Sequence, residues 1–543
     1  MTGSDKSGSS RKVAAFLMFA AVLSTLVVFL YLATRNLHFP GLYYDEVIFV
    51  NAALGGINND FVALRLFDVP VMIMPYIGAL KSYLYFPVFK IFGVSPESIR
   101  IPVIMLSAGT LTFSFLLARR LFGAGLALLY LALVATDPAF IFNVRLDSGP
   151  VALMLFFKSC ALFFFFSLLQ TGSPRYVWLL LASLSLGLYD KLNFIWFVIA
   201  LGIPALFFYG AELKELVIRE RRRLVVPCSI FALVLGLAFV LIVIILLFLP
   251  GTMPDRTLQE KVLLVFNLYK GTMDGSSIYH FLTGSPLAAP SWVHYLMAPV
   301  PVMFLMLLAG GRLAPQPLTR TQRRLPWFLL CVALLLSAQI IVTREVGGAH
   351  HLMMLHPFHH LIFVSLLASL LALCKGAWQR VAFACCALGI SLVVYSQLRA
   401  DAAYASAFTA GASYNKRWDP RIYALAEHLS LEQADYIICT DWGIHTQLFC
   451  LATPERRLRY QDVWPQFKTM AALLPEQKQA VYDRFFKGKR VMAITHAPGA
   501  EIMPGTRENF RAFADSYGKG ATLEKVVSNK KGEGLYELYR VNP

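Results

Sequence analysis

The chain is short of charge. Only 15% of its 543 residues are Asp, Glu, Lys or Arg. A soluble domain carries about 25%, so a water-soluble globule is excluded as the overall design. Cysteine is also sparse, with 8 in the chain, and no pair has the CxxC spacing of a zinc ribbon or a thioredoxin-type redox motif. There is no HExxH metal signature, no P-loop and no dinucleotide glycine fingerprint in a strand-to-helix context. Solenoid repeats and low-complexity linkers are absent too. Acids are the scarcer sign, 32 against 49 Lys and Arg, for a net charge of +17.

What the chain has in abundance is apolar sequence: 57% hydrophobic residues and a mean hydropathy of +0.60. A spanning helix needs about 20 such residues in a row. Spans are expected at 13–34, 99–118, 122–142, 149–169, 176–189, 193–209, 224–249, 293–310, 327–342, 358–374 and 381–398. The first follows Lys6, Arg11 and Lys12 and has no small-residue cleavage site behind it, so it reads as an uncleaved signal anchor. The basic residues gather on the amino-terminal side, in turns such as Arg119–Arg120, Lys214 to Arg223 and Arg312 to Arg324. That bias puts the amino terminus in the cytoplasm. An odd number of spans then puts the long tail outside. Membrane orientation therefore accounts for the basic pI, and no nucleic-acid partner is expected.

The expected fold class is mainly α: a polytopic membrane domain over 1–398 of about eleven transmembrane helices with interfacial helices, then a small extracytoplasmic α/β domain over 399–543. In that tail, ADYIICT and KRVMAITH read as buried strands. DPRIYALAEHLS and EQKQAVYDRFF read as amphipathic helices, and LEKVVSNKKGEGLYELYRV as a terminal hairpin. Cys439 and Cys450 both fall in the tail, where a disulfide is chemically allowed. The other six cysteines lie in or beside spans as small apolar fillers.

Acids at a membrane edge are costly to place and mark functional sites. Asp45 and Glu46 form such a pair, in GLYYDEVIFVNAAL, soon after the first span. Their loop, about residues 35–98, mixes aromatics with Lys81 and Lys90, and is expected to form two or three short interfacial helices. The second outward turn packs Asp137, Arg145 and Asp147 together. The third holds Asp190 and Lys191. The fifth, TREVGGAHHLMMLHPFHH, contains five of the eleven histidines. Lys158 sits mid-span and is expected to face the bundle interior with an acid or carbonyl partner. The outward loops thus supply what a sugar transfer from a lipid phosphate requires. Asp45 or Glu46 would act as base. Arg145, Lys191, Arg344, His350, His351 and His356 would act as partners for the leaving phosphate. No cofactor is required by these residues; a divalent metal among the histidines is compatible with them.

Taken in order, the first 210 residues resemble the polyprenyl-phosphate-dependent glycosyltransferases of the GT-C superfamily, close to its bacterial aminoarabinose transferases and protein O-mannosyltransferase-like enzymes. The resemblance is carried by YYDE after the first span, DVPVMIMPYIGAL, FGVSPESIRIPVIMLSAGTL, RRLFGAGLALLYLALVATDPAFIFNVRLDSGPVALMLFF and GLYDKLNF. It implies an inverting enzyme of the inner membrane. The donor would be a polyprenyl-phosphate-linked sugar, and the acceptor an envelope lipid, polysaccharide or protein. The family's catalytic acid falls on Asp45, its neighbour on Glu46, and the acid of the second outward turn on Asp147, with Asp137 as the alternative. The competing reading is a transporter or lipid flippase, supported by Lys158 and the number of spans. It lacks the paired broken helices that transporter halves show.

Overall fold

The computed structural model describes residues 5–54, 62–248, 256–313, 318–343, 348–409, 416–517 and 520–541. Helix α1 (Asp5–Thr34) is followed by α2 (Tyr44–Ala53), a three-stranded antiparallel sheet of β1 (Leu64–Leu66), β2 (Val69–Met74) and β3 (Ile77–Gly78), and α3 (Leu80–Phe92). Then come α4 (Pro96–Phe122), α5 (Ala124–Ala135), α6 (Pro138–Leu146), α7 (Val151–Thr171), α8 (Arg175–Asp190) and α9 (Ile195–Phe248). The membrane part continues with α10 (Leu258–Met273), α11 (Ser276–Thr283), α12 (Val300–Leu313), α13 (Arg320–Val342), α14 (Ala349–Leu352), α15 (Phe358–Leu373) and α16 (Gly376–Thr409).

Among the described residues, six helical stretches are long and apolar enough to cross a membrane, and α5 with α6 makes a seventh if counted as one span bent by 56°. Helices α8, α12 and α15 are shorter. This is a multi-pass membrane protein. The most apolar window of α7 is 83% buried, whereas those of α1 and the α9 stretch are 6% buried. Helix α7 is therefore the centre of the bundle, packed on α4 and α8. The exposed Leu206, Phe207, Phe239 and Leu247 of α9 are tolerable only against lipid, because a patch of that size would drive association in water.

The spans expected at 193–209 and 224–249 lie in the α9 stretch, which is interrupted between them by non-helical backbone at Tyr209 (φ −130°) and Glu220 (φ −107°). The segment AELKELVIRERRR is made of strong helix formers, so most of the connection between the two breaks is itself helical. The first loop holds two short helices, α2 and α3, where two or three were expected, and a sheet lies between them. Its middle is the small sheet β1–β3, in which β-branched and extended residues around Pro70 pair antiparallel before α3 begins. Helix α16 runs unbroken across residue 398, and the tail's own elements begin past it.

The tail comprises α17 (Arg421–Leu431), β4 (Tyr436–Cys439), α18 (Ile444–Leu451), β5 (Tyr460–Asp462), α19 (Trp464–Thr469), α20 (Pro475–Phe485), β6 (Val491–His496), α21 (Thr506–Tyr517), β7 (Ala521–Ser528) and β8 (Gly534–Val541). Its sheet has the order β5-β4-β6-β8-β7, parallel between β4 and both β5 and β6 and antiparallel for the terminal hairpin. Apolar clusters line both faces. Cys439 and Cys450 are buried and unbridged. The tail docks on α2. Asn51 donates to the Thr446 carbonyl at 2.8 Å, and Gln447 donates to the Leu42 carbonyl at 2.9 Å. Tyr43 stacks on Trp418, and Tyr44 lies against Trp442, each with centroids 4.3 Å apart.

Candidate active site

Tyr43 is extended (φ −127°, ψ 155°), so α2 starts at Tyr44 and both acids fall in its first turn, where carboxylates complement the free N–H groups. Neighbours on a helix point about 100° apart, and the two acids part company. Glu46 turns inward. Its Oε1 accepts from Arg100 Nε at 2.6 Å and its Oε2 from Arg100 Nη2 at 2.9 Å, with both side chains essentially without exposure. Arg100 also donates to the carbonyls of Leu37 (2.5 Å), Pro40 (3.0 Å) and Gly41 (3.3 Å). Asp45 stays partly exposed.

The charges that Asp45 meets come from two other elements. Lys81 lies in the first turn of α3, which is fastened to α2 by Ser82 donating to the Phe49 carbonyl at 2.9 Å. Its Nζ lies 2.8 Å from Asp147 Oδ2, 3.0 Å from the Asp147 carbonyl and 4.6 Å from the Phe49 ring centroid. Asp147 ends α6 in the left-handed region (φ 47°) and accepts from Ala152 N at 2.7 Å, which closes the turn into α7. Lys191 follows α8 and is placed by the small sheet. Ile77 bridges to it, Leu192 N donates to the Tyr76 carbonyl, and Tyr189 donates to the Val71 carbonyl. Gly78 is forced by this contact, since a Cβ there would lie 2.1 Å from the Tyr189 carbonyl oxygen. At Gly149 (φ 74°) a Cβ would come within 3.4 Å of Lys191 Nζ.

Asp45, Lys81, Asp147, Asp190 and Lys191 are thereby one electrostatic cluster. Burial pushes the Asp45 carboxyl above its ordinary 3.8, and Lys191, then Lys81, pull part of that back. Burial also pushes Lys191 down, against Asp190, Asp45 and Asp147. Asp190 is buried, and neither of its carboxylate oxygens has a hydrogen-bond partner. His350 and His351 of α14 pair at 4.2 Å between ring centroids. Burial, with Lys191 nearby, holds His350 well below 6.5 and His351 at about 3. Both are neutral at pH 7, so each offers an anion a single N–H and not a full charge.

The remaining candidates lie elsewhere. Arg145 is buried and donates to the carbonyls of Arg35, Asn36 and Phe39, with its guanidinium over Phe408. It thus ties down the start of the loop whose other end Arg100 holds. His356 Nε2 is 3.0 Å from Asp137 Oδ2 in a separate buried cluster. Arg344 lies outside the described residues. Lys158 has the carbonyl partners expected of it: Met353 at 3.2 Å, Met354 at 2.7 Å and His356. Lys81, Asp190 and Arg100 received no role from the sequence. The available signal was Lys81, a lone cation in the apolar run IGALKSYLYF.

Residues 79–248 match a family model described as dolichyl-phosphate-mannose-protein mannosyltransferase. No curated protein sequence matches the chain. Among solved structures, apo ArnT from Cupriavidus metallidurans aligns over 97% of this chain and 98% of its own, with 14% identity and a TM-score of 0.57. ArnT from the same organism bound to undecaprenyl phosphate aligns over 96% and 97%, with 13% identity and a TM-score of 0.54. The oligosaccharyltransferase of Archaeoglobus fulgidus, in complex with Zn and sulfate, aligns over 91% of this chain and 69% of its own, with 13% identity and a TM-score of 0.53. The resemblance is borne out at the level of fold: the family match covers residues 79–248, and the likeness to ArnT runs through the later spans and the tail.

Proposed function

We propose that the protein is an inverting glycosyltransferase that moves a sugar from a polyprenyl phosphate to an envelope acceptor, with Asp45 as the base. The acceptor is an envelope lipid, polysaccharide or protein. The observation that supports this reading most is the position of Asp45. It is the partly exposed carboxylate of a cluster otherwise made of buried charges, on a GT-C fold. An acceptor hydroxyl gives its proton to Asp45 while its oxygen bonds to the anomeric carbon. The bond from that carbon to the phosphate oxygen breaks, and the lipid phosphate leaves with the electron pair. Attack opposite the leaving group inverts the anomeric centre. Charge grows on the leaving phosphate, where Lys191 and the N–H groups of His350 and His351 stabilise it. A base works best with a pKa near the working pH, and the upward push on Asp45 acts in that direction. Asp147 positions Lys81, and Glu46 with Arg100 and Arg145 positions the loop that carries Asp45. The amino terminus faces the cytoplasm, and the site and tail face the outer side of the inner membrane.

The test compares wild type with Asp45→Asn, using radiolabelled polyprenyl-phosphate sugars and a membrane extract as acceptor. Loss of a general base lowers the rate by about 10²–10⁴, with the fold intact by melting. Equal transfer by both proteins sinks the assignment of Asp45. Lipid movement across vesicles without any transfer from a broad donor panel sinks the enzyme itself.

A further inference from the structure

A second group of chemistry-bearing side chains lies within the bundle, away from Asp45. Its origin is the break between α5 and α6. Pro138 has no N–H to give and opens α6, and Asp137 caps that helix, its Oδ1 accepting from Ala139 N at 2.8 Å. The other oxygen, Oδ2, points at the fifth-loop histidines. His356 Nε2 is 3.0 Å from it and His360 Nε2 is 3.8 Å from it. The three ligand atoms all lie within 4.8 Å of one another, and all three residues are buried. The spacing HPFHH places His356 just before α15 and His360 in its first turn, four residues on, so both rings reach the same point.

Hydrogen bonding does not account for this arrangement. Both ring nitrogens of His360 lack a partner, although its side chain has no exposure. Asp401, which extends from α16 and is 2% exposed, has two carboxylate oxygens without a partner, and Asp137 is its charged neighbour. Gln397, one turn earlier, accepts from Thr136 Oγ1 at 2.9 Å but leaves its Nε2 unpaired. Buried carboxylate oxygens and imidazole nitrogens are thus left without the partners that a purely hydrogen-bonded cluster would supply.

We propose that Asp137, His356 and His360 bind a divalent transition-metal ion of the zinc type. Zinc–nitrogen and zinc–oxygen bonds of about 2.0–2.1 Å put tetrahedral ligand atoms about 3.3 Å apart. The separations of 3.0 and 3.8 Å bracket that value. Two imidazoles and a carboxylate are a borderline donor set suited to zinc rather than magnesium or calcium. Asp137 supplies a negative charge to such an ion inside an apolar bundle, and Asp401 interacts with Asp137 electrostatically. The fourth position is left to a water. The ion joins the α5–α6 break to the entry of α15. With Lys158, which caps the carbonyls of Met353, Met354 and His356, it fixes the segment that carries His350 and His351. The inference does not depend on the proposed transfer reaction.

The test uses the full-length protein in detergent, washed with a weak chelator and measured by elemental mass spectrometry. About one zinc per chain is expected in wild type, and loss of that zinc in Asp137→Asn and in His360→Ala. Cobalt(II) added to metal-stripped wild type should give the visible absorption of a tetrahedral site. His360→Cys guards against variants that misfold, because a bound cobalt would then show a sulfur-to-metal charge-transfer band. A wild type that holds no stoichiometric metal and takes up no cobalt overturns the proposal. So does zinc retained in both Asp137→Asn and His360→Ala, or His360→Cys without the new band.

Discussion

Cutting the Glu46–Arg100 pair tests whether the site is held up from behind. Both side chains are out of solvent, and five contacts of 2.5–3.3 Å converge on the guanidinium, two from Glu46 and three from carbonyls of residues 37–41. Removing one member of a buried ion pair costs about 3–5 kcal/mol, because the partner is left charged in a poor solvent. Glu46→Met should fall near the low end, since the three carbonyls still solvate Arg100. Arg100→Met should fall at the high end. It strands a carboxylate and three carbonyl oxygens, and each orphaned group costs about 1–3 kcal/mol. The double variant has no stranded charge. It should lose no more than Arg100→Met alone, so the two substitutions couple by about 3 kcal/mol. The assay is equilibrium unfolding in mixed micelles followed by tryptophan fluorescence, with Trp418 stacked on Tyr43 as a local reporter. Losses that add to within about 0.5 kcal/mol would show that the pair does not act as a unit and that Glu46 is not fixed by Arg100.

The pH–rate profile gives a second check. With Asp45 as the proposed base, kcat/KM for transfer should fall as pH drops through a pKa raised above 3.8. Lys191→Met removes the largest charge favouring the ionised form, so the inflection must move to higher pH; a downward or absent shift contradicts the placement of Lys191. Lys158→Met leaves the carbonyls of Met353, Met354 and His356 without their donor. A loss of about 3 kcal/mol is expected from three buried acceptors at about 1 each, with faster amide exchange over residues 349–357. Unchanged exchange there would mean that Lys158 does not secure this segment.

The membrane class, the position of the helices and the strands and helices of the tail were legible in the sequence because each depends on local composition and periodicity. Twenty apolar residues in a row have few alternatives, and a β-branched run between turn signals has few more. Detail was lost where local signals are weak. Helix-forming Glu, Leu and Arg made much of the connection inside α9 helical between its breaks, and extended residues around Pro70 added a small sheet between the two short helices of the first loop. The site was legible only in part. Asp45, Asp147, Lys191, His350 and His351 were found as loop residues of suitable chemistry, but Lys81 and Asp190 gained significance only from their neighbours. Nor could sequence alone separate Asp45 from Glu46. Helix α2 is buried along nearly its whole length, so no amphipathic pattern sets its rotation. Its packing against α3, the tail and Arg100 does. Tertiary structure likewise sent Arg145 to the carbonyls of residues 35–39 and His356 to Asp137. A charged side chain's role depends on which partner reaches it first, and partners tens to hundreds of residues away are chosen by the fold.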